Sequence, residues 1–400
     1  MPALDGLRIL DMTLYEAGPS CTQMLAWLGA DVVKLERPGS GDPGRAAPAT
    51  AAPSDYFEAW NANKRSLALA VDEAPGRELL LRLIPRFDVF VENYSHGVVN
   101  KLGIDYETVR KANPRIIYAQ IKGFGLTGPH SQYKCFDMIA QACSGMTSVT
   151  GEADGPPVKP AATVGDSGTG VQLALAIASA YIQVMRTGEG QHIEISMQEA
   201  LTYFMRGIVS LRSRFGGVVP RLGNRFGGMV ELLPCKPGGP NDYVNISMVT
   251  DRMWEALCRA IGAPELLDDA RFRSTELRDQ NADALWSRIG EWTRERDKFE
   301  CMRVLCEAGV PAGAVQDTDD LFRDPHLQDR DFVQQIDHPK REPFELLGNP
   351  IRMSAGHPEI SRAPLLGEHS EEILRQDLGL SDAELKLLRT RGIVGTSETA

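Results

Sequence analysis

A single carboxylate stands where a run of small residues leads into a long apolar stretch. Asp166 lies in the sequence Gly-Asp-Ser-Gly-Thr-Gly at 165–170, and the residues that follow are nearly uncharged and rich in Ala, Leu and Ile. This composition predicts a buried helix that begins near Asp166. A carboxylate at a helix start can cap the helix, or it can act as a nucleophile, because the glycines let a ligand approach closely. The residues alone leave both roles open.

The composition is typical of a globular protein with a large core. The chain has 400 residues, of which 42% are hydrophobic and 24% charged, and its formal net charge is -11. An acidic protein of this kind is not expected to bind nucleic acid or membranes, and any anionic ligand must find local basic residues. The N-terminus lacks a charged and then apolar leader pattern. We therefore expect a cytoplasmic protein without a membrane-spanning segment.

The spacing of cysteines and histidines gives no sign of a metal site. The seven cysteines form no Cys-x-x-Cys motif, so free thiols are expected. The seven histidines are spread along the chain and are expected to be surface or hydrogen-bonded residues. P-loop, His-Glu-x-x-His and Gly-x-Ser-x-Gly motifs are absent from the sequence. The sequence therefore does not support a P-loop nucleotidase, a metalloprotease or an α/β-hydrolase.

The elements that must position Asp166 alternate between strand and helix. Helices are expected to begin at Pro19 and Pro75, and apolar strands are predicted at Leu7–Asp11, Asp31–Leu35, Ser66–Leu69, Val89–Val91, Arg115–Ile121 and His192–Ser196. This alternation predicts an α/β fold with a largely parallel sheet covered by helices on both faces. Ligands bind beyond the carboxyl ends of such strands, so binding residues are expected in the turns after Asp11, Leu35, Val91 and Ile121.

The pattern of predicted secondary structure changes after the strand at His192–Ser196. A helix is expected at 198–215, followed by a Gly- and Arg-rich linker and by short strands and helices that predict a smaller α+β domain. Amphipathic helices are expected over 370–389, and residues 392–400 are expected to be frayed. Earlier in the chain, an Ala- and Pro-rich surface stretch is expected up to Pro53.

A Gly-x-Gly-x-x-Gly sequence at 123–128 follows a predicted strand. In a dinucleotide-binding motif it would open a helix, whereas here Pro129 and polar residues follow. We reject NAD binding and expect either a glycine-rich active-site loop or a plain turn.

Several stretches together resemble the class III CoA-transferases, the family of formyl-CoA:oxalate and carnitine CoA-transferases. They are residues 4–11, 17–19, 28–42, 63–66, 92–94, 165–170 and 362–369. The resemblance spans nearly the whole chain. It implies an interlocked homodimer in which residues 1–225 and 330–400 form a large Rossmann-like CoA-binding domain and residues 226–329 form the small α+β domain.

The resemblance also implies the chemistry. Asp166 would be the nucleophile that moves CoA from an acyl-CoA to a free organic acid, through mixed anhydrides and an aspartyl-CoA thioester. Exchange of one thioester for another is nearly isoenergetic, so neither a metal nor a permanently bound cofactor is expected. Coenzyme A enters only as part of the substrate.

A set of CoA-binding residues follows from the same resemblance: Ala17, Arg37, Leu69, Asn93, Tyr94, Ser95, Lys101, Lys134, Phe136 and Asp137. Lys101 stands where the family has an arginine. The lysine keeps the positive charge but cannot donate the two parallel hydrogen bonds of a guanidinium group. Asp137 replaces a glutamate.

Two departures from the family concern the reacting centre. Glu16 stands where formyl-CoA:oxalate transferase has a glutamine, and an ionised carboxylate there should disfavour an oxalate anion. It could equally be a turn or cap residue. The family's glycine-rich loop, which shields the intermediates, is represented only by Gly238 and Gly239, and the flanking Pro237 and Pro240 should stiffen it.

Three alternatives remain from the sequence, and one of them is an intramolecular CoA-transferase that moves CoA between two carboxylates of one molecule. The α-methylacyl-CoA racemases share the fold, but they carry a catalytic histidine where this chain has Phe136, so the acid/base partner is missing. A catalytically silent acyl-CoA-binding protein would use Asp166 only as a cap. The sequence names neither the donor nor the acid. A short or medium organic acid is expected, with a dicarboxylate such as succinate favoured on the donor side.

Overall fold

The computed structural model describes residues 1–47 and 54–397. Its strands are Arg8–Met12 (β1), Asp31–Glu36 (β2), Arg65–Leu69 (β3), Val89–Glu92 (β4), Ile117–Lys122 (β5), Gln191–Ser196 (β6), Val230–Pro234 (β7), Tyr243–Ser247 (β8), Ala312–Ala314 (β9), Val333–His338 (β10), Arg341–Leu347 (β11) and Val394–Gly395 (β12). The part of the predicted Ala- and Pro-rich surface stretch at 48–53 lies outside the described residues.

The α-helices are Ala17–Trp27 (α1), Asp55–Asn61 (α2), Ala74–Leu83 (α3), Val98–Leu102 (α4), Tyr106–Ala112 (α5), Asp137–Cys143 (α6), Ser167–Thr187 (α7), Met197–Phe204 (α8), Arg206–Val209 (α9), Asp251–Ala260 (α10), Thr275–Gln280 (α11), Ala282–Thr293 (α12), Lys298–Glu307 (α13), Thr318–Arg323 (α14), Pro325–Asp329 (α15), Ser370–Leu378 (α16) and Asp382–Thr390 (α17).

A seven-stranded sheet organises the first unit of the chain. Its order is β12-β3-β2-β1-β4-β5-β6, and every pairing is parallel except that of β12 with β3. The run β3-β2-β1-β4-β5-β6 is the doubly wound order, in which the winding direction reverses between β1 and β4. The α/β prediction with a mostly parallel sheet is confirmed.

The strands of this sheet are apolar because helices cover both faces. One core lies under α3, α5, α16 and α17 and contains Leu10, Phe90 and Tyr118. The other lies under α1, α7 and α8 and contains Ile9 and Val91. Neighbouring strand residues alternate between the two cores, as the two-residue period of a strand requires.

Two predictions at the ends of elements are wrong. The helix expected at 198–215 ends at Phe204 and resumes only briefly as α9, because residues 206–215 contribute no buried side chain that would stabilise a longer helix. The C-terminus is not frayed over its whole length. Ile393 and Val394 are buried, and β12 adds the edge strand beside β3. Residues 398–400 lie outside the described residues.

The chain divides into two compact units. The first comprises residues 1–147, 159–213 and 331–400, and the second comprises 148–158 and 214–330. The second unit has a three-stranded antiparallel sheet, β7-β8-β9, whose core with α10, α12 and α13 contains Trp254 and Trp286. Arg221 joins the segment 148–158 to this unit through bonds to the carbonyls of Ser148, Glu152 and Gly155.

Helix α7 is the one described helix whose length and composition would suit a membrane span. A helix in a protein core has the same properties. In α7, Leu173, Ile177 and Val184 are buried in the core beneath α1 and the sheet, while other apolar residues of the helix are exposed.

Candidate active site

A cavity of about 340 Å³ opens in the first unit at the carboxyl ends of β1, β4 and β5. It lies at the reversal point of the sheet, where doubly wound proteins bind their ligands. The turns after β1, β4 and β5 supply most of its wall, together with the loop that precedes α6 and the start of α7. The lining residues are Leu14, Tyr15, Ala17, Asn93, Tyr94, Ser95, His96, Val98, Ile121, Lys122, Gly123, Ser131, Tyr133, Lys134, Cys135, Phe136, Asp166 and Met197.

Asp166 occupies the N-cap position of α7, but its side chain caps nothing. Its backbone is helical, with φ -84° and ψ -70°, and its carboxylate makes no hydrogen bond to any residue in 1–47 or 54–397. The side chain is half-buried and lines the cavity. The interpretation of Asp166 as a structural cap is therefore wrong, and the carboxylate is available for chemistry.

Glu16 occupies the corresponding N-cap position of α1 and also leaves its helix uncapped. The residue is only 2% exposed. One carboxylate oxygen accepts a short hydrogen bond from the hydroxyl of Thr163, and the other accepts one from the hydroxyl of Tyr56 at 3.4 Å. Glu16 is therefore a buried acid held by two neutral donors.

A close helix crossing brings these two helix starts together. Gly170 in the first turn of α7 packs against the first turn of α1. A Cβ atom at Gly170 would overlap Ser20 Oγ and lie 2.6 Å from the carbonyl oxygen of Ala17. Because only a glycine permits this approach, the N-terminal ends of α1 and α7 carry Glu16 and Asp166 to the same place.

Asp137 shapes the backbone that leads into Asp166. This buried residue, the first of α6, accepts the backbone N–H of Gly165 at 2.8 Å and the amide of Gln141 at 2.8 Å. A Cβ at Gly165 would lie 2.7 Å from Asp137 Oδ1, so the glycine is required for this contact. Asp137 thus positions Asp166 through the backbone of Gly165 and does not itself line the cavity.

Burial and neighbouring carboxylates raise the pKa of two acids of the site, Asp166 and Glu16. Burial raises the pKa of Asp166 to about 7, with further contributions from the charges of Glu16 and Asp137. Burial also raises the pKa of Glu16 to about 7, with the charge of Asp137 adding to it and the bonds from Thr163 and Tyr56 opposing it. Near neutral pH the site therefore exchanges protons with solvent.

A buried ionic network supports the turn at residues 13–16. Lys64 contacts Asp11 at 2.9 Å, and Lys34 contacts Asp42 at 2.8 Å, with all four side chains fully buried. Burial would raise the pKa of Asp11, but the charges of Lys64 and Lys34 outweigh it and lower this pKa to about 2. Burial lowers the pKa of Lys64 to about 8 and is only partly offset by Asp11.

This network and Asn93 hold the backbone of the turn in place. Lys34 donates to the carbonyl of Thr13 at 3.0 Å, and Asp42 accepts the N–H of Tyr15 at 3.1 Å. The Asn93 amide bonds both backbone groups of Leu14, at 2.8 and 2.9 Å. Tyr15 is held at a φ of +62°, which is unfavourable for a non-glycine residue, and such strain is common at functional sites.

Of the predicted CoA-binding residues, six line the cavity: Ala17, Asn93, Tyr94, Ser95, Lys134 and Phe136. Four do not. Asp137 is buried behind the wall, and Leu69 is buried in the sheet beside β12. Arg37 is exposed and pairs with Asp72 at 3.2 Å, while Lys101 is exposed on α4. The binding roles of all ten remain predictions.

Gly238 and Gly239 lie in the second unit, after β7. Gly238 has a φ of +99°, and the N–H of Gly239 donates to Asp242 Oδ2 at 2.6 Å. Their shielding role also remains a prediction.

Sequence reasoning missed several residues of the site. Lys122 lines the cavity, where it bonds both oxygens of the buried Glu92 at 2.7 and 2.9 Å and the carbonyl of Tyr94 at 2.6 Å. Lys122 could have been predicted as a site residue from its position at the end of an apolar strand, because polar residues at that edge of the sheet face ligands. Thr163 and Tyr56 had no such signal, since only the fold brings them to Glu16.

The Gly-x-Gly-x-x-Gly stretch forms a loop and not a helix start. The next helix, α6, begins at Asp137, and Gly123 lines the cavity. Within the described parts of the chain, no group of three or more His, Cys, Asp or Glu side chains has the arrangement of a metal site.

Comparison with known proteins assigns the family. A sequence model described as "CoA-transferase family III" matches residues 4–370. A formyl-CoA:oxalate CoA-transferase of Streptomyces coelicolor is 40% identical over 410 residues, covering 98% of this chain and 99% of that protein. One from Rhodopseudomonas palustris is 39% identical, covering 98% and 97%. The chain belongs to CoA-transferase family III, which confirms the resemblance and the prediction of an enzyme of this class.

A solved structure agrees with this assignment. A CaiB/BaiF family protein from Brucella suis is similar to this chain with a TM-score of 0.84 and 32% identity, covering 94% of this chain and 99% of that one. The similarity extends over both units, so the α/β architecture is that of the family.

Proposed function

We propose that this protein transfers CoA from an acyl-CoA to a free carboxylic acid, with Asp166 as the covalent carrier. The observation that carries the proposal is the uncapped carboxylate of Asp166, which lines a cavity at the reversal point of the sheet. Because the relatives are named for formyl-CoA and oxalate, these two compounds are the first pair to assay.

The reaction proceeds through four acyl-transfer steps that involve this carboxyl group. Ionised Asp166 attacks the thioester carbonyl, the C–S bond breaks, and an aspartyl-acyl anhydride and a CoA thiolate form. The thiolate then attacks the aspartyl carbonyl, which releases the first acid and leaves an aspartyl-CoA thioester. The second acid reverses these steps and leaves with CoA. Each bond broken is matched by one formed, and no redox step occurs.

The start of α1 stabilises the charge that develops in these steps. The first N–H groups of a helix have no partner within it, and among the described residues no side-chain hydrogen bond caps α1. Ala17, its first residue, lines the cavity. We assign these N–H groups and the helix dipole to the developing oxyanion, which such donors stabilise.

The turn at 93–98 and Lys134 form the proposed CoA-binding wall. Tyr94 and Ser95 offer polar groups to the ligand, and Lys134 offers a cation to its phosphates. Asn93 is assigned a different task, because its amide is occupied by Leu14. It orients the turn that carries Glu16.

We also propose that the active protein is an interlocked homodimer in the cytoplasm. Val171, Leu175, Ile182 and Met185 form an exposed apolar stripe along α7, and Leu175 is 70% exposed. A stripe of this kind marks a protein interface. All seven cysteines are free thiols, which suits a reducing compartment.

Trapping of the intermediate tests the proposal. The full-length protein is incubated with labelled acyl-CoA and then treated with hydroxylamine or borohydride, and the modified peptide is identified by mass spectrometry. Modification is expected at Asp166 and should be absent in Asp166→Asn. That variant should lose thioester exchange by at least about a thousandfold, since the nucleophile is gone.

The exposed residue Asp5 provides the matched control, and Asp5→Asn should be trapped like the wild type. Exchange by Asp166→Asn at the parent rate would disprove the mechanism. Binding of acyl-CoA without trapping or exchange would indicate a binding protein. Deuterium incorporation at the α-carbon without any acceptor acid would indicate isomerisation, with His96 of the same cavity as the available base.

A further inference from the structure

The charge around the reacting carboxylate restricts which acid can approach it. Any acid that accepts CoA must bring its own carboxylate within bonding distance of an intermediate on Asp166. Glu16 lies close to Asp166, because Gly170 packs the start of α7 against the start of α1 and Thr163, three residues before Asp166, donates to the Glu16 carboxylate. The acid therefore meets the charge of Glu16 whenever Glu16 is ionised.

No cation of the described chain neutralises Glu16. Its oxygens accept from the hydroxyls of Thr163 and Tyr56, and no ion pair to it is formed. The two lysines of the cavity wall do not supply one. Lys122 is paired with Glu92 at 2.7 Å, and Lys134 is exposed and makes no contact with Glu16.

The other titratable groups that face Glu16 are Tyr56 on α2, Asp137 on α6 and Asp166 at the start of α7. Two of these are acids, so the surroundings add negative charge. A second carboxylate on the incoming acid would face this charge in a half-buried site, where water screens it poorly.

We propose that Glu16 selects the acid by charge, so that the site accepts an acid carrying one negative charge and disfavours a dicarboxylate dianion. The inference rests on the proposed CoA transfer. A neutral hydrogen-bonding group, such as an amide or a hydroxyl, would take the place of the second carboxylate. Oxalate would then be a poor acid for this chain.

Matched acid pairs test this selection. Oxamate has the shape of oxalate with an amide in place of one carboxylate, and succinamate stands in the same relation to succinate. The donor is the acyl-CoA that labels Asp166 best, and kcat/KM is measured for each acid from pH 6 to pH 8. An acid that is not turned over is measured by its inhibition constant against one that is.

The selection is expressed as the ratio of kcat/KM for the diacid to kcat/KM for its monoamide. In Glu16→Gln this ratio should rise at least about tenfold at pH 8, because the fixed charge is removed. In the wild type this ratio should fall as pH rises through about 7, since Glu16 ionises over that range. The pH dependence should disappear in Glu16→Gln.

Thr163→Val separates charge from packing. It keeps the carboxyl but removes the hydroxyl that stabilises its ionised form, so the pH at which the ratio changes should move upward by roughly one unit. Glu107→Gln, on the exposed face of α5, removes a distant charge and should leave the ratio unchanged.

A ratio that is equal in the wild type and Glu16→Gln at every pH would overturn the selection by Glu16. Because labelling of Asp166 is scored without any acid, this failure is distinct from a failure of CoA transfer, in which Asp166 is not labelled at all.

Discussion

At the scale of single residues, two opposing effects act on the acids of the site. Their position at a helix start favours the ionised form, whereas burial favours the neutral form. Asp166 and Glu16 both stand at helix starts, where the dipole stabilises negative charge. Burial and the charges of neighbouring carboxylates nevertheless raise both pKa values to about 7. The site can therefore hold one proton while keeping one carboxylate ionised.

Asp166→Asn should make the stability of the protein less sensitive to pH. Between the ordinary pKa of 3.8 and the native value of about 7, unfolded Asp166 is ionised while the folded residue keeps its proton. The free energy of unfolding of the wild type therefore falls as pH rises through this range. Between pH 5 and pH 8 the free energy of unfolding of the Asn variant should rise by about 1–2 kcal/mol relative to that of the wild type. This figure allows for the partial exposure of Asp166.

Urea denaturation at the two pH values measures this difference. Asp5→Asn serves as the control, because it removes an exposed carboxyl group that does not line the cavity. If the stability advantage of Asp166→Asn over the wild type stays constant or shrinks toward pH 8, the raised pKa of Asp166 is contradicted.

At the scale of elements, the crossing of α1 and α7 carries the site. Gly170→Ala would place a Cβ against Ser20 Oγ, 2.6 Å from the Ala17 carbonyl and 3.0 Å from the Cys21 nitrogen. Because two of these atoms are backbone, the helices must separate. We expect a loss of about 2 kcal/mol in the free energy of unfolding and a lower kcat, since Glu16 and Asp166 move apart.

Gly207→Ala on α9 is the matched control for this substitution. A Cβ at Gly207 would meet nothing within 4 Å, so the change should be neutral or stabilise by up to about 1 kcal/mol. Urea unfolding at one fixed protein concentration, combined with steady-state rates, checks both variants. A Gly170→Ala protein as stable and as active as the wild type would show that the crossing does not position the acids.

At the scale of the whole molecule, the proposed interlocked homodimer makes a prediction that an ordinary dimer does not. Linked chains cannot part without unfolding. Tagged and untagged proteins should therefore form no mixed dimers when they are incubated together in native buffer. Mixed dimers should appear after joint unfolding in urea and refolding. Affinity capture followed by gel electrophoresis measures the exchange.

The apolar stripe of α7 supplies the control for assembly. Leu175→Asp puts a charge in the middle of this stripe and should lower the fraction of chains that assemble to twice 43.8 kDa, rather than remain at 43.8 kDa, when the protein refolds from urea. Exchange within minutes under native conditions would rule out interlocking, and a wild-type mass of 43.8 kDa would rule out the dimer.

Much of this protein could be predicted from its sequence. Strands such as Val89–Glu92 are apolar on both faces, and the turns that follow them carry polar residues, so the parallel sheet and its binding edge were predictable. Asp166 was identified by its glycine-flanked position before a long apolar helix. Local periodicity and local motifs suffice for such features, because their cause lies within a few neighbouring residues.

Only the tertiary structure decided what surrounds these residues. Thr163 is 147 positions from Glu16, and Lys64 is 53 positions from Asp11, yet each pair is bonded. The cap role of Asp166 and the frayed C-terminus were excluded only by the packing of α1, α7 and β12. Such contacts join segments that are distant in sequence, and neither composition nor periodicity records which of them the folded sheet brings together.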